Sequence, residues 1–116
     1  MIEIERLEFI EEKMGVKLES LFACEDGRGW SSGVGTFKNF VINGELHTID
    51  GNELSQSIRL VMSAHDSSNR VLGSTSTEIK AKDFFGFDIF SNGIQVYACE
   101  DLVTKVRIYP TPSQYR

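Results

Sequence analysis

Four dipeptides that favour tight hairpins, Asp26-Gly27, Asn43-Gly44, Asp50-Gly51 and Asn92-Gly93, punctuate stretches in which apolar and polar residues alternate. The two-residue turns of β-hairpins need positive φ at their centre, which Asn, Asp and Gly adopt at least cost. A chain cut this often by such turns, with a period of two between them, has little room for long helices. It is expected to be mainly β, with strands near 17–24, 34–43, 45–50, 57–66, 70–80, 84–91, 94–99 and 103–109. Eight short antiparallel strands imply a β-sandwich or a barrel, and the sandwich is the expectation adopted for residues 16–110.

Residues 1–15 depart from this pattern. They carry five Glu against Arg6 and Lys13, and Ile4, Leu7, Ile10 and Met14 recur at helical spacing before Gly15. The stretch reads as one short N-terminal α-helix capped by Gly15. Ile2-Glu3-Ile4-Glu5 alternates as an edge strand would, but Leu7, Phe9 and Ile10 break that period. Such a helix either covers an open end of the core or docks on a partner. At the other end, Pro110 and Pro112 are expected to stop the last strand and leave 111–116 as a tail.

At 116 residues the chain is expected to be a single domain, 1–116. A composition 41% hydrophobic and 25% charged is that of a chain able to fold, and the formal net charge of −5 argues against a nucleic-acid surface. No apolar run approaches the ~20 residues a membrane helix needs, so no membrane partner is expected. The start lacks the basic and apolar regions of a secretory signal, which makes the cytoplasm the expected location. Cys24 and Cys99 are too few for a stapled scaffold and are expected to be reduced, although a bridge between them can be drawn. Alternation puts Cys24 on a face with Phe22 and Leu18 and Cys99 opposite Ile94 and Val96, so a bridge would need the second strand inverted.

Alternation also assigns faces. Ile58, Leu60, Met62 and Ala64 fall on one side of their strand and are expected in the core, as are Val106 and Ile108. Phe85, Phe87 and Ile89 form another stripe, read as a core strand in preference to an aromatic binding strip.

Three groups of residues could carry function. The Gly-rich stretch 26–35 holds four of the ten glycines, Arg28 and the only Trp, Trp30, without the context of a phosphate-binding loop. If exposed, Trp30 with Arg28 would be a binding anchor; the alternative is that Trp30 folds back to plug one end of the core. The second group is an internal echo, Phe22-Ala23-Cys24-Glu25-Asp26 and Tyr97-Ala98-Cys99-Glu100-Asp101, both ending a strand. Meeting at one pole, Glu25, Asp26, Glu100 and Asp101, with Asp66, would gather oxygens of the kind calcium takes; solvated strand ends are the alternative. No other cofactor is expected. The third, Ser31 or Ser32 with His65 and Asp66, has the composition of a triad without its sequence context, and adjacent His and Asp on a strand point to opposite faces. The chain is therefore not expected to be an enzyme.

The runs Phe40-Val41-Ile42-Asn43-Gly44-Glu45-Leu46-His47, Ser57-Ile58-Arg59-Leu60-Val61-Met62-Ser63-Ala64-His65-Asp66, Asn69-Arg70-Val71-Leu72-Gly73, Phe84-Phe85-Gly86-Phe87 and Lys105-Val106-Arg107-Ile108-Tyr109-Pro110 resemble small bacterial immunoglobulin-like β-sandwich proteins of the FxLYD type. The likeness spans roughly residues 36–110. His65 stands where that family has Tyr, and Asn69 where it has Gly. The resemblance implies a sandwich and carries no catalytic residues with it. The function expected is a non-enzymatic module that binds a protein or pairs with itself through an edge strand or the Gly-rich stretch. The alternative is a sandwich that binds calcium or a small ligand.

Overall fold

The computed structural model describes residues 2–33, 35–51, 53–97 and 102–114. Along the chain come β1 (Glu3–Arg6), helix α1 (Glu8–Met14), β2 (Val16–Ser31), β3 (Gly35–Thr48), β4 (Ile58–His65), β5 (Val71–Ile79), a 3-10 turn (Ala81–Asp83), β6 (Phe87–Tyr97) and β7 (Lys105–Pro112). They form a four-stranded sheet in the order β1-β7-β4-β5 and a three-stranded sheet in the order β2-β3-β6. The chain is thus mainly β with one α-helix, and has seven strands in place of the expected eight.

The missing turns explain the lower count. Asn43-Gly44 and Asn92-Gly93 lie inside β3 and β6, which pair without a break from Phe37↔Tyr97 to His47↔Phe87. Neither Gly44 nor Gly93 has the positive φ that a two-residue hairpin requires. Gly44 is needed for space instead: a Cβ there would sit 2.6 Å from both Leu21 and Phe90. Asp26-Gly27 is likewise no hairpin. Gly27 (φ 86°) is the left-handed residue of a bulge, the two residues together opposing Asn39 of β3. The chain reverses only beyond Ser31, to resume at Gly35. The expected loop 26–35 is therefore mostly the distal part of a β2–β3 hairpin. Of the four dipeptides, only Asp50-Gly51 lies between strands.

The N-terminus combines the two readings that the sequence set against each other. Glu3–Arg6 is an edge strand, parallel to β7, and the helix begins only at Glu8. Gly15 caps it as expected, with φ 72° and its N–H donated to Glu11 and Glu12 carbonyls. The prolines do not end β7, which runs on to Pro112. β1 pairs β7 only from Lys105 to Ile108, so at Pro110 no strand of the described residues pairs with β7 on that side and a missing N–H costs little.

One buried cluster draws on both sheets. Ile58, Leu60, Met62, Ala64, Val106 and Ile108 enter it from the four-stranded sheet, as expected, and Leu18, Ile42, Leu46, Phe90 and Ile94 from the other. A bulge at Ser20 (φ 55°) and Leu21 shifts the phase of β2, so that Leu18 points inward, then Leu21 and Ala23. Phe22 and Cys24 consequently fall on the face opposite Leu18, not with it. The stripe expected in the core is also inverted: Phe85, Phe87 and Ile89 are 85%, 52% and 69% exposed, while Phe84 and Phe90 are buried.

Candidate interaction surface

The outer face of the β2-β3-β6 sheet is built from residues opposite one another across the strands. Lys17, His47 and Phe87 form one row, Glu19, Glu45 and Ile89 the next, then Phe22 with Asn43, and Cys24 with Val41. Phe22 is 55% exposed, like Phe87 and Ile89 open to solvent. Monomeric domains seldom leave so many large apolar side chains on one sheet face without a contact to make. The rim is polar. His47 stacks on Phe87 at 5.4 Å, and its Nε2 lies 3.1 Å from Glu45 and 3.4 Å from Glu19, which also meets Lys17 at 3.5 Å.

Beyond Glu25 the hairpin continues as an arm, which β6 flanks as far as Phe37. Its base is fixed by Phe37, whose ring lies over Gly29 and against Tyr97 at 5.4 Å. A side chain at 29 would meet that ring at 2.3 Å, so glycine is what lets the aromatic cross the strand. Arg28 lies opposite Lys38 and Trp30 opposite Thr36, which places these four on one face of the arm. Trp30 is 70% exposed, so it does not plug the core. Arg28 contacts Glu25 at 3.3 Å and otherwise extends into solvent. Beside the arm an apolar groove of about 430 Å³ is lined by Ile2, Ala23, Lys38, Phe40, Leu102 and Val103.

The acidic residues named from the echo are not brought together where they can be followed. Glu25 is taken by Arg28, and Asp26 is exposed in its bulge. Asp66 is buried in the β4–β5 turn, where Oδ1 accepts the Ser68 and Arg70 N–H groups at 2.9 Å and Oδ2 accepts Arg70 Nε at 2.8 Å. Those bonds, the Arg70 backbone N–H foremost, hold its carboxyl below the usual carboxylate range. Glu100, Asp101 and Cys99 lie outside the described residues. Among the described residues, no three His, Cys, Asp or Glu side chains form a set able to hold a metal ion.

His65 is fully buried, and its ring nitrogens are engaged by Ser63 and Asn69, not by Ser32; the Ser31 side chain of the expected triad lies outside what is described. The His65 Nδ1 donates toward the Asn69 carbonyl at 3.3 Å, which leaves Nε2 to accept the Ser63 hydroxyl at 2.7 Å. Ser63 was not singled out from the sequence, although the i, i+2 spacing of Ser63 and His65 puts both on one strand face. Asp66 serves Arg70, so it does not orient the imidazole. The outer face of the four-stranded sheet is paired in the same way: Glu5 accepts Arg107 at 2.5 Å and Lys105 at 3.0 Å, which lowers its pKa, and Arg59 meets Glu78 at 3.0 Å.

The contrast is between one sheet whose charged outer side chains are paired with one another and another that leaves aromatic and aliphatic groups open. No helix among the described residues is long and apolar enough to cross a membrane. No family model matches the chain, and no significant match to it is found among curated proteins or solved structures.

Proposed function

We infer that the chain is a non-enzymatic interaction module, a β-sandwich whose β2-β3-β6 sheet and projecting arm form the contact surface. The sandwich reading is supported by the single buried cluster shared by the two sheets, and is in keeping with the resemblance to immunoglobulin-like domains. The observation that carries the functional reading is Trp30. A lone Trp held 70% exposed near the tip of the β2–β3 hairpin, beside an exposed Arg28, has the residue types that dominate binding hot spots.

The test is affinity capture from a lysate of the source cells, comparing the immobilised chain with Trp30→Ala and with Arg28→Ala. A protein retained by the wild type and depleted about tenfold or more on Trp30→Ala is expected, as for loss of a hot-spot side chain. Identical capture by wild type and Trp30→Ala would remove the arm from the function.

A further inference from the structure

We propose that the free edge of β6 pairs antiparallel with β6 of a second copy of this chain, across a two-fold axis near Ile89. The inference rests on the module reading and names one of its partners. Exposed edges are normally blunted by bulges, charges, proline, shortness or a covering element. The other three edge strands carry such devices. β2 has two bulges and lies under α1, whose Glu11 accepts the Leu18 N–H. β1 is four residues long and charged, and β5 is bulged at Leu72 and approached by β6 at Gly73. β6 is different: eleven residues, paired to β3 without a bulge, free of Pro, Lys and Arg, with Asp88 its single charge.

At Gly73, β5 lies against Ile94 and Gln95, and so covers one end of β6. The half from Phe87 to Ser91 has only Phe90 buried, and among the described residues no strand is hydrogen-bonded there on the side away from β3. Setting Ile89 opposite the second copy's Ile89 places Phe87 across from Ser91 and Asp88 across from Phe90. Phe87 lies diagonal to Ile89 of the other copy, within reach of side-chain contact, and the two Asp88 side chains are diagonal in the same way on the opposite face. Outward side chains remain outward, so the two three-stranded sheets become one of six strands. Phe87 and Ile89 stay on the outer face, so the pairing covers only their flanks and the backbone edge, less than the roughly 1,000 Å² lower limit for a specific interface, which implies a weak dimer.

Sedimentation velocity over a concentration series into the high micromolar range tests this with the wild type, Ile89→Lys and Phe22→Lys. Both substituted positions are exposed, so folding is preserved, as circular dichroism will verify. The expected result is a concentration-dependent dimer whose association constant falls tenfold or more in Ile89→Lys, since the two-fold brings two like charges together, and is unchanged in Phe22→Lys. A wild type that stays monomeric overturns the pairing, whereas the module reading is decided by the Trp30 capture. A dimer that survives Ile89→Lys overturns it as well. One lost equally in Phe22→Lys indicates stacked sheet faces and likewise overturns edge pairing.

Discussion

Replacing Glu11 by alanine is expected to lower the unfolding free energy by about 3 kcal/mol, a fall of roughly 10 °C in the thermal midpoint. Glu11 is 2% exposed on a helix of only seven residues, too short to hold by itself. Its Oε1 accepts Arg6 Nη2 at 2.5 Å and the Leu18 N–H at 2.9 Å, and Oε2 accepts Arg6 Nε at 3.1 Å. One carboxylate therefore ties β1, α1 and β2 together. It also satisfies a backbone donor that an edge strand would otherwise leave unpaired. Alanine removes the partner of a guanidinium and orphans the Leu18 N–H. Glu11→Gln keeps an acceptor for Leu18 and should lose only part of this. Urea denaturation of the three proteins measures the effect; a loss below 1 kcal/mol for Glu11→Ala would mean that the cluster does not hold the N-terminal segment.

The second large effect is expected at Gly73. A Cβ there would lie 2.9 Å from the Gln95 carbonyl oxygen and 2.9 Å from Ile94 Cγ2. The carbonyl belongs to the backbone of β6 and cannot rotate away, so the two sheets must separate at this edge. Gly73→Val should cost about 3 kcal/mol and Gly73→Ala somewhat less, in the range of overpacked interiors. Gly93 is the control. A Cβ at that position finds its nearest neighbour, the Phe40 oxygen, at 3.8 Å, so Gly93→Ala should leave the midpoint unchanged or slightly raised. Thermal unfolding of the three variants separates a steric requirement from a general intolerance of glycine replacement.

The β character was legible because the alternation is strong, and so were the inward faces of β4 and β7, where no bulge intervenes. The number of strands was not. Asn43-Gly44 has the composition of a turn, but the crowding of Leu21 and Phe90 above Gly44, which comes from distant parts of the chain, decides its conformation. Cutting the chain at Asn92 hid the stripe Phe90, Ile94 and Val96, and with it the fact that Phe87 and Ile89 face outward. The bulge at Ser20 had no local signal, yet it reassigns Phe22 and Cys24 to the other face. At the N-terminus the alternation of Glu3 to Arg6 and the helical spacing that follows were both genuine, each over a shorter span than a single-element reading allows. Arg28 and Trp30 stand out by residue type and glycine context, and the stretch that carries them, expected to be a loop, is mostly paired strand.

The exposed presentation of Trp30 is the central claim, and because it is the only Trp in the chain its fluorescence reports on that position alone. The most direct measurement is steady-state emission of the dilute, native chain with acrylamide quenching, followed by addition of whatever the wild type captures and Trp30→Ala does not. The account requires a solvent-like emission maximum with nearly complete quenching in the free chain, then a blue shift and protection on binding. A blue, acrylamide-resistant emission in the free chain would contradict it, because Trp30 would then be folded back against its own domain and the arm would present no anchor.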